Sequence, residues 1–117
     1  MLKRLDEGTG NVLAYEVKER ITEKEVANLS QEVKEVVAEH GKVRLLVRMN
    51  EIPNVGFGAL AERLKLAPYA KDIERYAIVG DASLLEWAQS LGDALISGEI
   101  KHFEDLQYEE AWRWIQS

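Results

Sequence analysis

The stretch EHGKVRLLVRM, Glu39–Met49, joins the end of a helix to a strand and decides the fold. Gly41 stands where a helix C-terminus favours a residue that tolerates positive φ. The residues after it are rich in valine and leucine, which are typical of strands. On the N-terminal side, apolar residues recur at helical spacing and predict one buried stripe: Val26, Leu29, Val33, Val36 and Val37.

The pattern continues in both directions from this helix and strand. On the N-terminal side, EGTGN supplies a glycine-rich turn between residues 1–6 and the strand VLAYEV, which predicts a hairpin. On the C-terminal side we expect, in order, a helix with Leu60 and Leu64, the strand RYAIVG, the helix DASLLEWAQSLGDALI, the strand IKHF and a helix from about Leu106 to Ile115. The order predicts one α/β domain over residues 1–117, with an N-terminal β-hairpin followed by a mostly parallel sheet.

The central strand KVRLLVRM is not continuously apolar, as a strand covered by helices on both faces should be. Arg44 and Arg48 alternate with apolar residues, so we expect helices mainly on one face of the sheet. The other face would then be open, with Leu46 beside either Tyr76 and Ile78 or Ala77 and Val79 of a neighbouring strand. We predict this open sheet face as a surface for a partner, a ligand or a second copy: Arg44, Leu46, Arg48, Tyr76 and Ile78. The alternative is that the two arginines lie near strand ends and extend their charges into water.

Composition excludes several classes of function. The chain has 117 residues, of which 46% are hydrophobic and 31% charged, as expected for a globular domain. Its net charge of −6 argues against a nucleic-acid binder, which usually has a basic surface. It has no cysteine, no apolar run of the roughly 20 residues that span a bilayer, and no signal-peptide core at its N-terminus. A cytoplasmic protein without an integral membrane segment is the expectation.

The segment MNEIPNVGFGAL, Met49–Leu60, runs from the strand end into the next helix. Its NVGFG could cradle a phosphate through main-chain N–H groups or form a tight turn. It lacks the lysine and hydroxyl of a P-loop, which favours the turn. In VGDAS, Asp81 or Ser83 is expected to cap the following helix. Partners commonly meet α/β sheets at the carboxyl ends of strands, so we predict a binding loop there: Asn54, Gly56, Phe57, Gly58 and Asp81.

Catalytic signals are thin. His40 is expected at a helix end, where the helix dipole favours it, and His102 in a short strand. There is no HExxH, no GxSxG and no cluster of histidines and carboxylates. We therefore predict no catalytic residue, no metal site and no cofactor. Trp112 and Trp114 are two positions apart on the last predicted helix, so at least one of them should be partly exposed.

Taken together, several stretches resemble one known family. They are EHGKVRLLV, GALAERLK, DIERYAIVGD, LLEWA, EIKHF and EEAWRWI, with the N-terminal hairpin. The chain resembles the small bacterial STAS-like domains, also called SpoIIAA-like, which are related in fold to CRAL-TRIO lipid-transfer domains. The resemblance covers nearly all residues and is most specific in HGKVRLLV and DIERYAIVGD. It implies a β-α superhelix with helices on one side of the sheet.

The resemblance also implies a kind of function. The anti-sigma factor antagonists of this group bind a partner kinase through the loop and helix after the central strand, and a serine or threonine in that loop is their switch. Here the corresponding loop, Asn54–Ala59, contains no hydroxyl to phosphorylate. We expect a non-enzymatic interaction or regulatory module that binds another protein or a second copy of itself. The alternative is a carrier or sensor of a small apolar ligand or lipid.

Overall fold

The computed structural model describes residues 2–5, 10–18, 23–49, 72–82, 84–85 and 98–117. The strands of this part are β1 (Leu2–Arg4), β2 (Val12–Val17), β3 (Val43–Met49), β4 (Ile73–Val79) and β5 (Glu99–Phe103). Its α-helices are α1 (Glu23–His40) and α2 (Tyr108–Gln116), and a short 3-10 helix, Asp105–Gln107, precedes α2. The predicted terminal helix therefore starts two residues later than expected, after a 3-10 turn.

The five strands form one sheet in the order β1-β2-β3-β4-β5. β1 and β2 pair antiparallel, with Leu2 opposite Val17, and form the predicted hairpin. The three other pairs are parallel, so every step after the hairpin needs a crossover connection. The predicted α/β class, with a hairpin followed by a mostly parallel sheet, is confirmed.

Helix α1 covers one face of the sheet and ends as the sequence predicts. Gly41 has a φ of 78°, and its N–H donates a hydrogen bond to the Val37 carbonyl at 2.8 Å. This bond satisfies one of the carbonyls that a helix end leaves without an intrahelical partner. Val33 is fully buried against the sheet, and three further members of the predicted stripe pack beside it: Leu29, Val36 and Val37.

Helix α2 covers the opposite face. Its buried residues Ala111, Trp112 and Ile115 form one apolar layer with sheet residues of that face. These are Val12, Ala14, Leu46, Ala77, Val79 and Phe103. The two described helices thus lie on opposite faces, and the middle strands β3 and β4 carry buried apolar residues on both.

The prediction of an open sheet face is wrong for this part of the chain. Leu46 has 0% of its surface exposed because α2 lies over it. In the register of the sheet Leu46 lies opposite Ala77, and Ala77 and Val79 share its face. Tyr76 and Ile78 are buried on the α1 face. The arginines interrupt β3 because α2 offers them partners, and not because the face meets water.

Several predicted segments cannot be compared with the structure. The helix with Leu60 and Leu64, the loop Asn54–Gly58 and most of the helix after β4 lie outside them. Trp112 is buried and Trp114 partly exposed, which confirms that at least one of the pair is partly exposed.

Candidate functional site

The carboxyl ends of β3 and β4 lie side by side at one edge of the sheet, the place where α/β sheets commonly meet ligands and partners. β3 ends at Met49 and β4 at Val79, in parallel register. Gly80 follows β4 so closely against β3 that a Cβ atom there would collide with the Met49 carbonyl oxygen. A glycine is therefore required at this position.

A histidine of β5 holds the turn that follows β4. His102 Nε2 lies 3.0 Å from the carbonyl oxygen of Gly80 and 3.0 Å from that of Asp81. Both oxygens are acceptors, so Nε2 carries the hydrogen and donates. Gly80 N–H in turn donates to the Phe103 carbonyl at 2.9 Å. The turn is thereby attached to β5 from both sides, and it presents Asp81 at the surface.

A second group of residues at this edge lies where β5 leads into α2. Arg48 Nε donates to Asp105 Oδ1 at 3.3 Å, and its guanidinium lies 4.8 Å from the centre of the Tyr108 ring. Asp105 is the first residue of the 3-10 helix, and a capping box stabilises the start of this helix: Glu104 N–H donates to the Gln107 side chain at 3.0 Å. The charge of Arg48 is thus neutralised at the end of β3.

At the opposite edge, two arginines bind the C-terminal end of α2. Arg44 and Arg75 are neighbours in the sheet register. Arg44 Nη1 donates to the carbonyls of Ile115 at 2.9 Å and Ser117 at 2.7 Å. Arg75 Nη1 donates to the Trp114 carbonyl at 2.7 Å, and its guanidinium lies 5.2 Å from the centre of that residue's ring. A helix C-terminus carries partial negative charge, so it stabilises the two like charges side by side.

Glu74 completes this group of charges. Arg44 Nε donates to Glu74 Oε2 at 2.9 Å. This hydrogen bond from Arg44 is the main reason why the pKa of the Glu74 carboxyl lies below its ordinary value. The arrangement orients Arg44 and attaches α2 to the sheet, and it is a structural anchor.

On the α1 face, a tyrosine hydroxyl reaches a carboxylate of the helix. Tyr15 Oη donates to Glu32 Oε2 at 2.6 Å, and Arg4 Nη1 donates to the same oxygen at 3.0 Å. Burial, and next the hydrogen bond to Glu32, raise the pKa of Tyr15. Burial likewise raises the pKa of Tyr76. Both phenols therefore stay protonated, and the Tyr15 bond ties β2 to α1.

The structure separates the residues that the sequence grouped on one face. Arg44 and Arg48 lie on the same face but at opposite ends of β3, and each has partners in or next to α2. Leu46 is buried between them, and Tyr76 and Ile78 lie on the other face. Of the predicted loop residues, Asp81 is described and exposed.

Two roles were not predicted from the sequence: His102 holds the turn after β4, and Arg75 is the second arginine that binds the end of α2. The alternation of EIKHF places His102 beside Ile78, two positions before Gly80, so the strand register could have indicated the first of these contacts. Nothing local in the sequence indicates the second contact, because Trp114 is 39 positions from Arg75.

The described residues offer no group of three histidines or acidic side chains placed to hold a metal ion. Within the same residues, no helix has the length and apolar character needed to cross a membrane.

The fold and its edges define a class: a small α/β domain whose mostly parallel sheet follows an N-terminal hairpin. The model of the SpoIIAA-like family matches residues 12–116, and the chain belongs to this family. It is similar to the crystal structure of an uncharacterized protein of the DUF3478 family with a SpoIIAA-like fold, from Shewanella loihica PV-4. The two are 23% identical, with a TM-score of 0.70 over 97% of this chain and 93% of the other. This likeness shows the fold alone. No curated protein matches the chain.

Proposed function

We propose that the chain is a non-enzymatic interaction module that binds a protein partner at the carboxyl edge of β3 and β4. Domains of the SpoIIAA-like family generally mediate protein interactions. The contact residues would be the loop residues and the turn after β4: Asn54, Gly56, Phe57, Gly58 and Asp81. A cytoplasmic location is part of this proposal.

The observation that carries the proposal is the pair of hydrogen bonds by which His102 holds the turn after β4. His102 fixes the carbonyls of Gly80 and Asp81, so the turn needs little further ordering when a partner binds. Binding loses less free energy when the contact residues are already ordered. Asp81 gives the edge an exposed carboxylate, and Phe57 gives the loop an aromatic side chain of the kind that often dominates binding energy.

The proposed contact would not be switched by phosphorylation of the loop. A phosphate adds nearly two negative charges to a hydroxyl, and Asn54–Gly58 contains none. Regulation like that of the anti-sigma factor antagonists would therefore be missing at this position. Mass spectrometry of the protein from its own host should find this segment unmodified.

Native mass spectrometry of the protein purified from its own host tests the class of partner. A second protein of defined mass in the complex supports the interaction module. The partner so identified is then purified and its dissociation constant measured by calorimetry. We expect Phe57→Ala to weaken binding by about tenfold or more, the usual effect of removing an aromatic contact residue. Asp81→Asn should weaken it as well and still permit capping of the next helix.

Two control variants match these changes. Leu106→Ala truncates an exposed apolar side chain outside the proposed site, and Glu109→Gln neutralises an exposed carboxylate on α2. Both should bind like the unaltered protein. The proposal fails if Phe57→Ala and Asp81→Asn leave the dissociation constant unchanged.

One observation favours the second candidate, a carrier or sensor of a small apolar ligand or lipid. Trp112 is buried between α2, to which it belongs, and the sheet, and its Nε1 has no hydrogen-bond partner among the residues that the structure describes. A buried donor without an acceptor is costly, and an apolar molecule with one oxygen would satisfy it. The analogy behind this candidate is the resemblance in fold to CRAL-TRIO domains that the sequence implies. A copurifying lipid that is lost in Trp112→Phe would support it.

A further inference from the structure

Within the described residues, the outer edge of β5 has no strand beside it. β5 is the last strand of the sheet, and within the described residues its main-chain partner is β4. The Phe103 carbonyl faces β4, because it accepts from Gly80 N–H at 2.9 Å. Main-chain groups of a parallel strand alternate in direction, so Ile100 and His102 direct their N–H and C=O groups away from β4. Such an edge is a template for another strand.

The charges of β5 select one partner and one register. Glu99 and Lys101 are exposed and lie two positions apart, on the same face of the strand. In an antiparallel pair of two copies with Ile100 opposite Ile100, Glu99 of each copy lies directly opposite Lys101 of the other. The two Ile100 residues then exchange both hydrogen bonds, and the flanking charged pairs take the positions where side chains are closest.

The neighbouring register is unfavourable. A pair centred on Lys101 places two ammonium groups opposite each other, and like charges at that distance repel. Charge complementarity therefore favours the register centred on Ile100 over this neighbour, and that pair has two-fold symmetry and uses the same surface of both copies.

We propose that β5 pairs antiparallel with β5 of a second copy of this chain, across a two-fold axis at Ile100, so that one sheet continues through both copies. This surface differs from the partner site at the carboxyl edge, and the two proposals stand or fall separately.

A lysine on an edge strand often prevents pairing, and here its position permits it. Lys101 Nζ lies 5.2 Å from the centre of the Phe103 ring. The side chain thus extends along its own face of the sheet towards Phe103. In the dimer, Glu99 of the second copy neutralises it.

Sedimentation velocity over a range of concentrations tests the pairing with four proteins: the unaltered chain, Glu99→Lys, Lys101→Glu and the double exchange Glu99→Lys/Lys101→Glu. The unaltered chain should form a dimer as its concentration rises. Each single change replaces two attractive pairs by two repulsive ones and should weaken association by about tenfold or more. The double exchange restores both attractive pairs and should restore the dimer. Both side chains are exposed, so all four proteins should fold, as circular dichroism will verify.

Three results would overturn the proposal. A chain that stays monomeric at every concentration leaves the edge to a strand of another protein. Single reversals that do not change the association place the dimer contact elsewhere. A double exchange as weak as the single changes shows that the charged pairs do not meet. Phe57→Ala should leave the dimer unchanged, so this test is independent of the one for the partner site.

Discussion

Arg44 and Ile115 lie 71 positions apart in the chain, and a hydrogen bond of 2.9 Å from Arg44 Nη1 to the Ile115 carbonyl joins them. The same guanidinium also binds the Ser117 carbonyl and Glu74. One side chain of the central strand therefore fixes the end of the helix that covers its face. The anchor explains how a charged residue can interrupt an apolar strand without opening that face to water.

Replacing Arg44 should loosen α2. Arg44→Met keeps most of the side-chain volume and leaves the Ile115 carbonyl without its donor, so we expect a loss of about 2–3 kcal/mol in the free energy of unfolding. Urea denaturation measures this loss. Arg113→Met, a change of the same kind at an exposed position of α2, should cost less than about 0.5 kcal/mol. Equal effects of the two substitutions would show that the anchor contributes nothing.

The Glu74 carboxyl reports the same anchor through its pKa. Its hydrogen bond from Arg44 lowers the pKa below the ordinary value of 4.5. Because folding lowers this pKa, the stabilisation is fully present above the unfolded-state value and is lost as the pH falls through the folded-state value. An NMR titration of the Glu74 carboxyl carbon should give a midpoint below 4.5 that moves back towards 4.5 in Arg44→Met. Arg113→Met serves as the control and should leave the midpoint where it is.

The parts of the fold that the sequence predicted correctly depend on local periodicity. VLAYEV is β2 to the residue, and the stripe containing Val33 faces the sheet from α1. These patterns are complete within a few turns or strand positions. Gly41 could be placed for the same reason, since the αL position follows directly from where the helix stripe ends.

The error at Leu46 has a different physical origin. Strand alternation tells which residues share a face, and Arg44, Leu46 and Arg48 do share one. It does not tell which helix covers that face, because that helix comes from the end of the chain. The acceptors for the arginines are main-chain carbonyls, which every residue type has, so the side chains of the helix do not reveal them. The prediction placed Tyr76 and Ile78 on the face of Leu46, where the structure has Ala77 and Val79. The right choice needed the register between β3 and β4. A short hairpin turn fixes such a register, but β3 and β4 are parallel and joined by a long crossover.

Shortening Leu46 therefore tests the corrected placement. The side chain is fully buried under α2, so Leu46→Ala should lower the free energy of unfolding by about 2–5 kcal/mol through lost burial and the cavity that remains. Leu106→Ala is the matched control, because Leu106 is 100% exposed, and its effect should be below about 0.5 kcal/mol. A Leu46→Ala protein as stable as this control would mean that the face is open after all.

The hydroxyl of Tyr15 ties β2 to α1, and its removal should be visible in both stability and pH dependence. Tyr15→Phe deletes a bond of 2.6 Å to Glu32 and should cost about 1.5–3 kcal/mol at neutral pH, the range for a bond to a charged acceptor.

Burial, and next Glu32, raise the Tyr15 pKa above its ordinary value of 10.0. For a raised pKa, the stabilisation is complete below the unfolded-state value and declines as the pH rises beyond it. The unaltered protein should therefore lose more stability above about pH 10 than Tyr15→Phe does, in urea denaturation at a series of alkaline pH values. Tyr108→Phe, which keeps the ring beside Arg48, controls for the loss of a phenol hydroxyl at neutral pH, and parallel curves for Tyr15→Phe and the unaltered protein would rule out the Tyr15–Glu32 bond.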